Sequence, residues 1–295
     1  MSDSPHPAAD DLRLAFFLNL GFTVVEIAGG FWTNSVAILS DAVHDLGDSL
    51  SLGSAWYLDR VAQRGSDKRF SYGYLRFSLL GAWTNITVLL AGSIFLLSEA
   101  IPRLLRPEPT NARGMLAFAL VGVAINGAAA FRLRGHRSLN AQVAAWHFLE
   151  DVLGWVAVLI VAVTLLFVDL PVLDPALAIL ITGYILYNIV RHLRRTLLLF
   201  MQAVPEEIDL GHLEQRLSSL PHVYSTHHTH VWSMDGTHHV LTSHIVVDSE
   251  TTKNEVARLR EEVANLCDDY DFAHTTIEIE WGDDECRMRE RLTGA

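Results

Sequence analysis

The sequence predicts an α-helical membrane protein of six transmembrane helices, followed by a C-terminal α+β cytoplasmic domain of αββαβ order. Three observations predict it. Half of the 295 residues are hydrophobic and the mean hydropathy is +0.25, more apolar than an ordinary soluble chain. Those apolar residues come in blocks of about 20, the length that crosses a hydrocarbon core ~30 Å thick. The charge is also divided: residues 1–204 carry 15 acidic and 15 basic side chains, residues 205–295 carry 19 and 7.

Residues 1–11 form a polar N-terminal tail. "MSDSPHPAADDLR" offers no short apolar core with a cleavage site, so the first span is expected to stay and act as its own insertion signal. The spans are expected at roughly 12–32, 35–58, 73–102, 112–134, 141–168 and 174–198, making 12–204 the transmembrane domain and 205–295 the cytoplasmic one. With both termini inside, twelve Arg and Lys between Arg13 and Arg195 lie inside, against Arg103, Arg106 and Arg113 outside. That is a positive-inside pattern.

The tail alternates period. "EEIDLGHLEQRLSSL" has helical spacing through Ile208, Leu213 and Leu217; "VYSTHHTHVWSM" and "THHVLTSHIVVD" read as strands joined through Asp235-Gly236, a short-hairpin signal. "TKNEVARLREEVANL" returns to helical spacing, and "HTTIEIEW" closes with Ile277 and Ile279 on one face, Glu278 and Glu280 on the other. A small open sheet with helices on one face follows. The acidic surplus excludes nucleic acid as a partner, which demands clustered Lys and Arg. It serves either as a solvated face or as a cation attractor. Cys267 and Cys286 alone make no disulfide framework and fit a reducing compartment.

The chemistry sits inside the apolar blocks. "SDAVHDLGDS" in the second span places His44 and Asp48 four apart; "AWHFLEDVLGW" in the fifth repeats the spacing with His147 and Asp151. Residues i and i+4 share a helix face. The first pair lies about 12 residues from the inner end of its span and the second about 8, or ~18 and ~12 Å at ~1.5 Å per residue. Both pairs therefore reach the middle of the bilayer. An ionisable side chain there costs ~2.5–3.5 kcal/mol, so it faces a partner or a cavity. Two imidazoles and two carboxylates supply the four donors of a tetrahedral Zn²⁺ site. A single such pair is uninformative; two at compatible depth define a metal centre. Asp41, one turn before His44, is expected to fix the imidazole from behind. Asp45, rotated about 100° away, is expected to line a route or meet a base. Glu150 is rotated off the ligand face. Glu26 in the first span is either a helix-packing partner or a proton carrier.

Six spans, the paired HxxxD motifs and the tail of αββαβ order together resemble the cation diffusion facilitator family, in particular its zinc-transporting branch. "NSVAILSDAVHDLGD", "RGHRSLNAQVAAWHFLED", "DPALAILITGYIL" and "THHTHVWSM" carry the resemblance, which covers nearly the whole chain after about residue 12. It implies a homodimer joined largely through the cytoplasmic domain, exchanging divalent metal for protons, with His44, Asp48, His147 and Asp151 as transport ligands. It also implies a regulatory zinc site in the tail, at His227, His244, Glu278 and Glu280. The plainer alternative there is a row of solvated strand histidines. Two departures stand out. "DRVAQRGSDKRFSYGY" has no histidine, so no loop site is expected, and "RLRGHRSLN" is too short for the His-rich loop of vesicular relatives. A compact bacterial plasma-membrane exporter follows, with zinc, cadmium, cobalt and iron undecided and no catalytic cofactor. Two other readings have specific weaknesses. An intramembrane zinc hydrolase would need an open coordination position and a nearby base, and a tethered metal sensor without transport would rest on the tail alone.

Overall fold

A computed structural model describes residues 7–62, 64–133, 139–282 and Cys286. Six long helices come first: α1 (Pro7–Thr33), α2 (Val36–Ala62), α3 (Phe77–Leu105), α4 (Ala112–Leu133), α5 (Leu139–Phe167) and α6 (Leu173–Phe200). The rest comprises α7 (Leu210–Ser218), β1 (Val223–Ser233), β2 (His239–Val247), α8 (Lys253–Asp268) and β3 (Phe272–Trp281). The chain forms two compact units, the first running to Leu193 and the second starting at Arg194.

In the first unit, five helices are long and apolar enough to cross a membrane among the described residues. The sixth, α2, has the length at 27 residues, but Asp41, Asp45 and Asp48 break its apolar run. Its polar side chains are shielded because α2 packs against α1 and α3 and meets α5. Outward-facing Phe17, Phe31, Trp32, Ile94, Phe131 and Ile160 stay exposed, as lipid-facing positions should. Trp155 of α5 fills the centre of the core with Val36, Ile38, Leu96 and Met115. It fits because α4 has glycine opposite: a Cβ on Gly122 would come within 2.2 Å of the indole.

Two polar clamps hold the start of α2. Asn34 turns the chain at φ 53°, and Arg103 of α3 donates to its backbone and side-chain oxygens at 3.2 and 3.0 Å. Asp174, at the start of α6, accepts from Ser35 Oγ (2.5 Å), Val36 N (2.8 Å) and Ala37 N (3.3 Å). A fully buried carboxylate thus caps the helix from 138 residues away, satisfying amides that a helix start leaves bare. In the connection after α2, Asp67 is used up by the turn, accepting from Arg69 N, Phe70 N and Tyr74 Oη. Those hydrogen bonds, led by the Phe70 amide, hold its carboxyl below the usual carboxylate range.

In the second unit the sheet runs β1-β2-β3, antiparallel then parallel. Leu213 and Leu217 of α7 and Leu259, Val263 and Leu266 of α8 bury against Leu241, Ile245 and Val247, so both helices cover one face. Asp209 caps α7, and Thr252 with Glu255 forms a capping box on α8. The β1–β2 connection is wider than the Asp235-Gly236 signal implies. It spans Met234–His238, with Asp235 Oδ1 accepting from Thr237 N and His238 N at 2.9 and 2.8 Å.

Candidate metal centres

In the first centre each histidine stands across from both carboxylates. His44 Nε2 lies 3.7 Å from Asp48 Oδ2 and 3.9 Å from Asp151 Oδ1. His147 Nε2 lies 3.3 Å from Asp48 Oδ2 and 3.8 Å from Asp151 Oδ2. Helical spacing aligns each pair on its own helix, and the α2–α5 contact brings the two pairs together. Four donors at ~2.0 Å from a tetrahedral Zn²⁺ would sit ~3.3 Å apart. The four His–carboxylate approaches come near this, but no three of these residues bring one donor atom each within 4.8 Å of one another, so the ring must close in to hold an ion. Asp48 Oδ2 and Asp151 Oδ1 are buried without a hydrogen-bond donor. A bare carboxylate oxygen in such a place is costly, and a divalent cation removes that cost.

A crevice of about 290 Å³ between α2, α5 and α6 opens beside this ring. Asp41, His44, Glu150 and Asp151 line it, with Leu180 and Tyr184 opposite. Glu150, rotated off the ligand face, is a lining residue of this crevice, a placement its sequence position does not give. Asp41 makes no hydrogen bond to His44 among the described residues. It instead lies against α5, where Gly154 leaves room for it; a Cβ there would meet Asp41 Oδ1 at 3.2 Å. Asp45 does not line the crevice. It is buried toward α1 beside Glu26, and Asn19 of α1 donates to its backbone oxygen and to Ser49 Oγ. Glu26 is fully buried, its carboxyl against that of Asp45.

The second centre occupies the sheet face opposite the helices. Register places His227 beside His244 and His244 beside Glu278, with Glu280 two residues further along β3. A bulge between His227 and His230, with His228 at φ 49°, breaks the alternation of β1. It swings the His228 ring to 5.2 Å from both the His227 and His244 rings, centroid to centroid. His227 Nε2 lies 3.1 Å from Glu280 Oε2, and His244 Nδ1 lies 2.7 Å from Glu280 Oε1. Glu278 is 59 % exposed and meets the other nitrogen, His244 Nε2, at 3.4 Å. Cys286 joins from beyond β3, its Sγ 3.7 Å from His244 Nδ1. His227, His244, Glu280 and Cys286 bring one donor atom each within 4.8 Å of all the others. Burial alone would raise the Glu280 carboxyl; hydrogen bonds from His244 and Cys286 and the nearby imidazoles outweigh it and hold it below its usual value.

Residues 12–201 match the family model described as the cation efflux transmembrane domain, and residues 205–281 match the cation efflux protein cytoplasmic domain. The chain therefore belongs to the cation efflux, or cation diffusion facilitator, family and is a multi-pass membrane transporter of its zinc-transporting branch. Among its relatives is the metal cation efflux system protein CzcD of Cupriavidus metallidurans. It is 33 % identical over 279 residues, covering 93 % of this chain and 88 % of that one. The zinc transporter ZitB of Escherichia coli is 32 % identical over 296 residues, covering 96 % and 92 %. The cadmium, cobalt and zinc/H(+)-K(+) antiporter of Bacillus subtilis is 29 % identical over 276 residues, covering 91 % and 88 %.

Proposed function

We propose that the protein exports Zn²⁺ from the cytoplasm in exchange for protons, by alternating access at His44, Asp48, His147 and Asp151. The observation that carries this reading is the ring of four His–carboxylate approaches at 3.3–3.9 Å, inside helices that otherwise face lipid. The names of the relatives support zinc, with cadmium and cobalt as further cargo. Imidazoles with an ordinary pKa of ~6.5 are largely neutral at cytoplasmic pH and free to ligate. Metal and proton compete for the same lone pairs, so protons arriving from outside displace the ion. The crevice takes in Asp41 and Gly154, one turn from the ligands toward Val36, and leaves out Asp48 and His147.

The same reading makes residues 12–204 the transporting unit, and residues 205–295 the part that joins two copies and senses zinc on the inner side of the plasma membrane. His227, His244 and Glu280 would hold the regulatory ion. Glu278, on the far nitrogen of His244, would orient that ring. The test is zinc uptake into proteoliposomes under an imposed pH gradient. Flux should rise with the gradient and collapse when an ionophore dissipates it; flux indifferent to the gradient overturns proton exchange.

A further inference from the structure

The four-residue cluster on the open face of the sheet contains a sulfur that the family resemblance did not supply. Cys286 stands five residues beyond the end of β3, a free thiol, half-buried, with its Sγ against His244 Nδ1. We propose that Cys286 binds as a thiolate and completes an S, N₂, O site that takes a thiophilic divalent ion, Zn²⁺ or Cd²⁺. This rests on the reading of that face as the regulatory centre.

Three features support the thiolate. With Zn–N at ~2.0 Å and Zn–S at ~2.3 Å, a tetrahedral ion puts nitrogen and sulfur ~3.5 Å apart, and the observed separation is 3.7 Å. Charge also balances. Two neutral imidazoles, one carboxylate and one thiolate cancel a divalent ion in a place where His244 and Glu280 are more than nine-tenths buried, so no net charge is left in a poorly solvated spot. Finally, coordination through His244 Nδ1 leaves Nε2–H to donate to Glu278 at 3.4 Å, the outer contact that fixes a ligating ring. Sulfur changes what the site selects: thiolate favours Zn²⁺ and Cd²⁺ over Mg²⁺, Ca²⁺ and Mn²⁺. The intramembrane ring, built from nitrogen and oxygen alone, lacks that filter. The tail would thus report softer ions than the transport path strictly requires.

Cys267 provides an internal control. It is buried in the core shared by the sheet and helices, on the other face, and burial pushes its thiol up to about 11. The experiment uses the full-length protein in detergent with Asp48→Ala, to silence the intramembrane ring. Cd²⁺ is titrated while thiolate-to-cadmium charge-transfer absorption is followed and bound metal is counted after dialysis. A saturable band is expected. It should vanish in Cys286→Ser, with Cd²⁺ affinity falling by more than about tenfold, since even an outer-contact loss costs ~10-fold. It should persist in Cys267→Ala and weaken in His244→Ala. A Cys286→Ser protein that binds Cd²⁺ unchanged overturns the thiolate and leaves the His–Glu centre standing. A band that survives His227→Ala with His244→Ala overturns it too, by placing the sulfur outside the cluster. No tail-bound ion in the Asp48→Ala protein overturns both readings.

Discussion

Asp48 Oδ2 faces both imidazoles of the intramembrane ring, at 3.7 and 3.3 Å, whereas Asp151 meets them through two different oxygens. Asp48→Asn preserves volume and removes the charge; His147→Ala removes a nitrogen. Each should lower zinc flux in proteoliposomes by more than about 100-fold, beyond the ~10–100-fold that outer contacts command. Elution volume and thermal unfolding should stay near wild type, and flux above a tenth of wild type would remove these residues from the path. These four positions were legible because a period of 3.6 makes i and i+4 neighbours without knowledge of the fold. Glu150, Cys286 and the role of Asp174 were not, because their partners lie on other elements. Glu150 meets its crevice only once α6 is placed. Cys286, isolated in sequence, acquires neighbours only when β2 and β3 are side by side.

The elements themselves were the most legible level, since long apolar blocks and the switch from helical to alternating period leave little choice. Local detail was less so. The bulge at His228 has no signature in "THHTHVW", where either histidine could face either way, and the tie from Asp235 to His238 opens the hairpin past its two-residue signal. The start of α2 illustrates a dependence invisible along the chain. Asp174→Ala would strip Ser35 Oγ, Val36 N and Ala37 N of their buried acceptor. Lost caps cost about 0.5–2 kcal/mol, and three buried donors place this one at about 2 kcal/mol or more. Thermal unfolding in detergent should fall accordingly, while Asp174→Asn recovers part of the loss; an unchanged midpoint for the alanine variant would show that water replaces the carboxylate.

Across the whole molecule, the net charge of −12 is carried entirely by the tail, and the pH response of that unit follows from its carboxylates. At Asp235, burial on its own would raise the carboxyl. Hydrogen bonds from the His238 and Thr237 amides and from their side chains outweigh it and lower the pKa. At Glu255 the Thr252 hydroxyl and amide act in the same direction. A folded pKa below the unfolded one gives stability that is complete above the unfolded value and lost as pH falls through the folded one, here below about pH 5. The thermal midpoint of the full chain should therefore drop between about pH 5 and pH 3, and Asp235→Asn should flatten part of that drop. An unaltered slope would show that the loop carboxylate contributes nothing to it. The division at Leu193 falls within α6, which continues as helix to Phe200.

The buried strut between Asp174 and the first turn of α2 has a mechanical consequence. Opening it during each turnover would strand a carboxylate and three donors away from water, a penalty no transport step needs to incur. The joint is therefore expected to keep the starts of α2 and α6 together through the proposed cycle, leaving α5, which bears half of the ring, to shift relative to them. A covalent staple between the two helix starts should leave zinc flux running, whereas arrest by such a staple would show that the joint comes apart in every cycle.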